Sequence, residues 1–263
     1  KVYEIPEGSK NSKGRAIQNL LNIDSDDKVN AFIRVKNLQD PEYNSTHFLL
    51  FATKKGVIKK TSLAAYSRPR QNGVNAITIR EDDQVIQVRM TDGTQEVIMA
   101  NRNGRAIRFN EEKVREMGRT ATGVRGMTLD EDPTDELIGM ITISDKEKDS
   151  IMVVSEQGYD DYRITNRGGK GVRTINITEK TGKLVSLKSV TDENDLMIIN
   201  KSGITLRMKV ADIRIMGRAT QGVRLINLDK RGDEIASVCK VLSEVEEEIA
   251  ISPIEEINEQ DNE

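Results

Sequence analysis

The chain has 263 residues, 40 Lys+Arg against 43 Asp+Glu, 36% hydrophobic and 3% aromatic content and no Trp, which suits one large or two ordinary soluble domains. A single Cys, Cys239, and a single His, His47, exclude a disulfide framework, a zinc centre, a Cys–His nucleophile pair and a Ser-His-Asp triad built within this chain. No apolar run is long enough for a membrane span and the first six residues lack a signal peptide's apolar core, so a cytoplasmic protein with no cofactor, metal or membrane partner is expected.

In chain order, the first feature is a box, Gly14-Arg15-Ala16-Ile17. An apolar run, Phe48-Leu49-Leu50-Phe51, follows and closes on a polar turn, Lys55-Gly56-Val57. The second box is Gly73-Val74-Asn75-Ala76-Ile77; short β-rich runs at 84–90, 95–101 and 105–109 come after it, separated by Thr91-Asp92-Gly93 and Asn101-Arg102-Asn103-Gly104. Further boxes stand at Gly123-Val124-Arg125-Gly126, Gly171-Val172-Arg173-Thr174 and Gly222-Val223-Arg224-Leu225. Apolar runs at 151–154 and 196–199 precede the turn glycines Gly158 and Gly203. These runs are too short for free-standing helices and are bounded by turns, so they predict buried central strands of hairpins.

The box glycines recur at intervals of 59, 50, 48 and 51 residues. A unit of about fifty residues with four short strands cannot bury both faces alone, which predicts an all-β propeller-like disc of about five blades. One repeat is short: turn glycine and box glycine lie 17, 19 and 19 residues apart elsewhere, but 13 apart between Gly158 and Gly171. A chain break or missing strand is therefore expected between Gly158 and Asp161. Asp82, Asp83, Asp130, Asp132, Asp229 and Asp233 recur at turns, where Asp caps backbone amides, and are expected to be structural. His47 and Cys239 are read as satisfied strand residues.

Cations gather ahead of every box: Lys10 and Lys13, Arg68 and Arg70, Arg115 and Arg119, Arg163, Arg167 and Lys170, Arg214 and Arg218. Arg15, Arg125, Arg173 and Arg224 lie inside boxes, and Lys59, Lys60, Arg105, Arg108 and Arg207 follow the turn glycines. A cationic loop repeated once per blade makes a belt that tracks a polyanion backbone, and the scarcity of aromatics argues against stacking on unpaired bases; double-stranded DNA is the expected partner. A nucleotide P-loop is excluded, because Gly169-Lys170 is followed by Gly171 and not by Ser or Thr.

The opening Lys1-Val2-Tyr3-Glu4-Ile5-Pro6 with 13–21, the segment Met117-Gly118-Arg119-Thr120-Ala121-Thr122-Gly123, and Met216-Gly217-Arg218-Ala219-Thr220-Gln221-Gly222 resemble the C-terminal domain of the DNA gyrase A subunit. The resemblance spans essentially the whole chain. It implies a β-pinwheel, with six blades in the full family domain, that binds and bends duplex DNA around its basic perimeter with positive handedness. That wrap allows the ATP-driven enzyme to introduce negative supercoils. The catalytic tyrosine, metal-binding acids and ATPase would lie elsewhere, in the N-terminal part of gyrase A and in the B subunit of a heterotetramer on the chromosome. The family's marker, Gln-Arg-Arg-Gly-Gly-Lys-Gly, is matched in its last five positions by Arg167-Gly168-Gly169-Lys170-Gly171. There Gly168 and Gly169 would admit a phosphate close to the backbone while Arg167 and Lys170 supply charge. The alternatives are the corresponding domain in the A-type subunit of topoisomerase IV and a propeller-like protein-interaction scaffold.

Residues 1–243 are expected to form the disc and 244–263 an acidic tail, with nine carboxylates and no Lys or Arg. With −3 on the whole chain, the body carries +6. Carboxylates of the tail can compete with phosphate for the belt, and such competition is screened over about 8 Å at physiological ionic strength. Deleting 244–263 is expected to tighten duplex binding most at low salt, as read by a fluorescence-anisotropy titration; equal affinities there would assign the tail no such role.

Overall fold

The computed structural model describes residues 7–9, 11–16, 19, 29–68, 70, 73–144, 150–155, 167–175, 177–178, 181–214, 224–226, 228 and 233–241. The acidic tail and the expected break between Gly158 and Asp161 lie outside the described residues. Among the described residues there is one short helix, α1 (Pro41–Thr46), and thirteen strands. The strands are β1 (Phe48–Thr53), β2 (Val57–Ser62), β3 (Val85–Thr91), β4 (Glu96–Asn101), β5 (Arg105–Asn110), β6 (Val124–Arg125) and β7 (Leu137–Ile143). They continue with β8 (Ser150–Ser155), β9 (Val172–Arg173), β10 (Leu184–Val190), β11 (Asp195–Asn200), β12 (Thr205–Lys209) and β13 (Ile235–Val241).

α1 starts because the Asp40 carboxylate accepts from the amides of Glu42 and Tyr43 (3.0 and 3.2 Å) and Pro41 occupies the first turn. It ends at His47, whose ring stacks on Tyr43 at 4.0 Å, so this histidine is satisfied at the entrance to β1. Cys239 sits on β13 and is exposed.

The strands form four sheets: β3-β1-β2-β6, β7-β4-β5-β9, β10-β8 and β12-β11-β13. Three of the apolar runs are central strands, β1, β4 and β11, as their composition predicts, while the fourth, β8, pairs among the described residues only with β10; every residue of β4 is buried. Hairpins β1/β2, β4/β5 and β11/β12 turn at Gly56, Gly104 and Gly203. The strand on the other side of each central strand loses register at Ala52/Thr53, Ala100/Asn101, Ile199/Asn200 and, in the third sheet, Leu184/Ser186. Every sheet thus bends at the same place. The capping aspartates hold these corners: Asp83 accepts from the amides of Lys55 (2.9 Å) and Gln84 (2.8 Å), and Asp233 from Ser202 and Glu234 (3.3 and 2.9 Å).

Sequence order alone suggests that a box and the three runs after it make one sheet, and the structure corrects this. Residues 73–80 form no strand, and the outer strand of the first sheet is β6, from the following box, paired Val57↔Arg125 and Ile58↔Val124. β9 serves β5 in the same way. The reason is geometric: β2 has a row of unpaired amides and carbonyls along its outer edge, and the second box after it, behind the following hairpin, is the segment that arrives there. The approach is close, since a Cβ on Gly123 would stand 2.7 Å from the Ile58 carbonyl oxygen and one on Gly171 2.5 Å from that of Ala106. Both glycines also have positive φ, 105° and 73°.

The chain comprises two compact units, one of residues 1–101, 106–144 and 163–172, the other of 102–105, 145–162 and 173–263. In the first, Leu50 and Ile58 of one sheet bury against Met99, Ile107, Phe109 and Met140 of the next. The second has its own core, including Met152, Val154, Leu196, Ile198 and Val238.

Four cations expected on the DNA belt are instead engaged within the sheets. Lys59 is 0% exposed, and its ammonium donates to the carbonyls of Ala76 and Arg119. Lys60, 6% exposed, pairs with Glu111 at 3.0 Å and lies over the Phe48 ring at 4.3 Å. Arg108 and Arg207, at the position equivalent to Lys60, donate through Nε to Glu96 (2.6 Å) and Asp195 (2.7 Å) on the paired strand. Lys59, Lys60 and Arg108 fall inside because β2 and β5 are not sheet edges once the box strand has joined them; Arg207, on β12 at the edge of its sheet among the described residues, stays exposed and is engaged by Asp195 across the hairpin.

Two tests follow from this packing. Gly171→Ala forces both a strained φ and a backbone clash, so it should destabilise by about 1–3 kcal/mol and lower the melting temperature by roughly 3–10 °C in a thermal melt. Burial, and after it the charge of Arg119, pulls the Lys59 ammonium down to about 8 from the ordinary lysine value of 10.5. Between those values the unfolded chain holds the proton more often than the folded one, so Lys59 makes stability rise with pH across that window. Denaturant titrations from pH 8 to 10.5 should show this rise, and Lys59→Met should flatten it.

Candidate nucleic-acid interface

Strand donation decides where the remaining cations go. When β6 docks on β2, the loop leading into it, which carries Arg119, meets the loop leaving β2, which carries Arg68 and Arg70. All three arginines line one cleft of about 540 Å³ together with Ser67 and Val74. The equivalent junction on the second sheet brings residues 167–171, ahead of β9, onto the loops at 113–115 and 124–128. Arg167 is half-buried and donates through Nε to the Lys113 carbonyl (2.7 Å) and through a terminal nitrogen to that of Arg125 (3.2 Å). The Gly168 amide donates to Gly126 (2.6 Å), the Thr128 amide to Gly169 (2.9 Å) and the Thr128 hydroxyl to Gly168 (2.7 Å). Arg167 therefore clasps the junction, while Lys170, Arg115 and Arg125 are exposed around it.

Elsewhere the expected residues are more dispersed. Lys13, Arg15, Arg173, Arg214 and Arg224 are exposed, and Arg105 is half-buried. Lys10, Arg163 and Arg218 lie outside the described residues. The repeat draws no attention to Ser67, which lies outside every box, or to Val74, whose side chain carries no charge. Lys113 is equally inconspicuous; its part is played by its backbone carbonyl, which no side-chain pattern reveals. Among the described residues no three His, Cys, Asp or Glu side chains gather as a metal site would require, and no helix is long and apolar enough to cross a membrane.

What separates the junction cations from those inside the sheets is their counter-charge. Lys60, Arg108 and Arg207 each have a carboxylate within hydrogen-bond distance. Arg68, Arg70 and Arg119 pair with no carboxylate among the described residues, and the cleft is lined by none among them. Uncompensated guanidinium groups on exposed loops attract anions, and their planar fork suits phosphate oxygens.

Comparison with known proteins agrees with this architecture. The family model described as DNA gyrase C-terminal domain, beta-propeller, matches residues 1–36, 47–92, 95–144, 160–191 and 194–239, five segments in step with the boxes. The DNA gyrase A protein of Staphylococcus aureus is 43% identical over 256 residues, covering 94% of this chain and 28% of that protein, so the chain spans little more than a quarter of the relative's length. The solved C-terminal domain of a DNA topoisomerase IV superposes with a TM-score of 0.80 at 27% identity, covering 92% of this chain and 75% of that one. A DNA gyrase A C-terminal domain superposes at 0.73 with 24% identity, over 88% and 76% of the two chains, and shows the same fold. The sheet order with a strand donated by the next box is the pinwheel form of this propeller, and the chain belongs to the DNA gyrase A C-terminal domain family.

Proposed function

We propose that this chain is the duplex-binding part of a gyrase A protein, which bends and wraps DNA around its basic loops and gives the wrap positive handedness. The observation that carries the reading is the pair of cationic loop junctions at equivalent places on two successive sheets, at least one of them without a carboxylate. A cation repeated from one sheet to the next suits a repeating phosphate backbone and contacts no base edge, so binding is independent of sequence. Bending a duplex strongly around a small protein costs on the order of 10 kcal/mol, so several junctions must act together.

The chemistry of strand passage belongs, on this reading, to the rest of the enzyme. The N-terminal part of gyrase A supplies the catalytic tyrosine, the B subunit the ATPase, and the domain works in the cytoplasm on the chromosome within that heterotetramer. The better superposition on a topoisomerase IV domain favours the alternative that the chain serves that enzyme; the 43% identity to gyrase A outweighs it. Ligation of nicked circles in the presence of the chain separates wrapping from simple binding: handed wrapping should leave positive supercoils after deproteinisation, and relaxed products would refute it.

Affinity should fall linearly with salt on logarithmic axes, and Lys170→Ala or Arg115→Ala should each reduce the slope by about one in filter-binding titrations. Arg167→Ala should behave differently. By removing the clasp it should cost about 1–3 kcal/mol of stability, whereas Lys170→Ala should shift the thermal melt hardly at all.

A further inference from the structure

In the cleft on the first sheet the arginine-bearing loop is held by other residues, which leaves the guanidinium groups themselves unspent. Arg119, on its wall, is half-buried, whereas Arg68 and Arg70 are exposed at its mouth. The loop that carries Arg119 is fastened from beneath: the buried ammonium of Lys59 donates to the Arg119 carbonyl and, in the other direction, to Ala76. Tyr66 donates its hydroxyl to the same Ala76 carbonyl (3.3 Å), the Thr78 hydroxyl to Thr120 (2.6 Å) and the Thr78 amide to Ala121 (3.3 Å). Segments from three parts of the chain, near 66, 76 and 120, are thereby locked together around the cleft. In the equivalent junction on the second sheet, Ile107 stands in the place of Lys59, and the arginine of the loop is itself spent on holding backbone carbonyls.

The electrostatics at this spot are one-sided. Lys59 is charged below its lowered value near 8, and after burial the cause of the lowering is the neighbouring Arg119. Burial also raises the Tyr66 phenol, with the Thr61 side chain and then Arg119 pulling against the rise. The Lys59 ammonium and the Tyr66 hydroxyl lie behind the loops that carry Arg119 and Ala76, and among the described residues no carboxylate lines the cleft. Gathering like charges on a fixed loop is unfavourable until an anion enters, and a phosphate presents the oxygens that two or three guanidinium forks can grip together.

We infer that the Arg68/Arg70/Arg119 cleft is a preformed phosphate seat, which grips the duplex backbone at one fixed point of the belt and accepts free pyrophosphate in competition with it. The first half rests on the DNA-wrapping reading; the second does not. Lys59 is a positioning residue for this seat, acting through the Arg119 carbonyl, and Arg119 makes the deepest contact. Most other cations of the belt are exposed and their contacts exchangeable, so the seat sets the register from which the duplex is wrapped.

The test uses the whole chain, with Arg119→Gln, Arg119→Lys and the exposed control Arg224→Gln, all first shown by thermal melt to be folded. Titration calorimetry with pyrophosphate should give one site per chain in the wild type, lost in R119Q and weakened in R119K. In anisotropy titrations at moderate salt, R119Q should lose at least about tenfold in duplex affinity and R224Q no more than about threefold. Equal losses in R119Q and R224Q, with no stoichiometric pyrophosphate site, would overturn the seat while leaving DNA wrapping intact. If the wild type bound no duplex, the wrapping reading would fail instead, and the pyrophosphate titration alone would decide whether the cleft is a phosphate seat.

Discussion

In the first two sheets of this protein the fourth strand comes from the following repeat, and the cationic surface is arranged by that exchange. β6 and β9 are only two residues long, yet each closes the exposed edge of a hairpin and delivers its own leading loop to the sheet behind it. The exchange works only where the backbones can nearly touch, which is why Gly123 and Gly171 head their boxes. Without it the loops bearing Arg68 and Arg119 would belong to separate parts of the chain. The candidate site is thus a consequence of sheet completion and not an addition to it.

The same pairing sorts the charges. In the first two sheets the cations at the fourth position after the turn glycine, Lys60 and Arg108, lie along a completed sheet, where desolvation would be costly without a partner. Each has one. Lys60 is the most demanding case, because Phe48 occupies the place taken by Glu96 or Asp195 in the other hairpins. Its carboxylate has to come from Glu111, which is completely buried and also accepts from the Thr91 hydroxyl and the Gln95 amide, both at 2.8 Å. That network ties the first hairpin to the turn after β5. Arg68, Arg70 and Arg119, which escape such pairing among the described residues, lie on loops where an anion can reach them.

Much of this is legible in the residues alone. Period, hairpins and central strands follow from the spacing of glycines and the short apolar runs, and the belt follows from the Arg and Lys ahead of each box. The pairing partner of a box is not legible, because a two-residue strand has no periodicity and its mate lies some sixty-five residues away in sequence, as Val124 does from Ile58. Mistaking that partner is what places Lys59, Lys60 and Arg108 on the belt. Cross-strand neighbours such as Glu96 and Asp195 become visible only once the register is known. Arg167 is recognisable by motif but its work is not, since its hydrogen bonds go to the carbonyls of Lys113 and Arg125, atoms every residue has.

Strand exchange also puts the structural module out of phase with the module that gene duplication copies. A duplicated stretch of about fifty residues inserts a hairpin whose outer edge must be closed by the second box after it, while the box that directly follows it closes the hairpin before it. Whole-repeat gain or loss therefore preserves every pairing except at the two ends of the array, provided the boxes are interchangeable. That demands a common box, and the identical Gly-Val-Arg at Gly123, Gly171 and Gly222 meets the demand in the last three boxes, while those at Gly14 and Gly73 keep the glycine and read Gly-Arg-Ala and Gly-Val-Asn. Sequence uniformity in the boxes is, on this view, a compatibility standard between neighbours more than a record of recent ancestry.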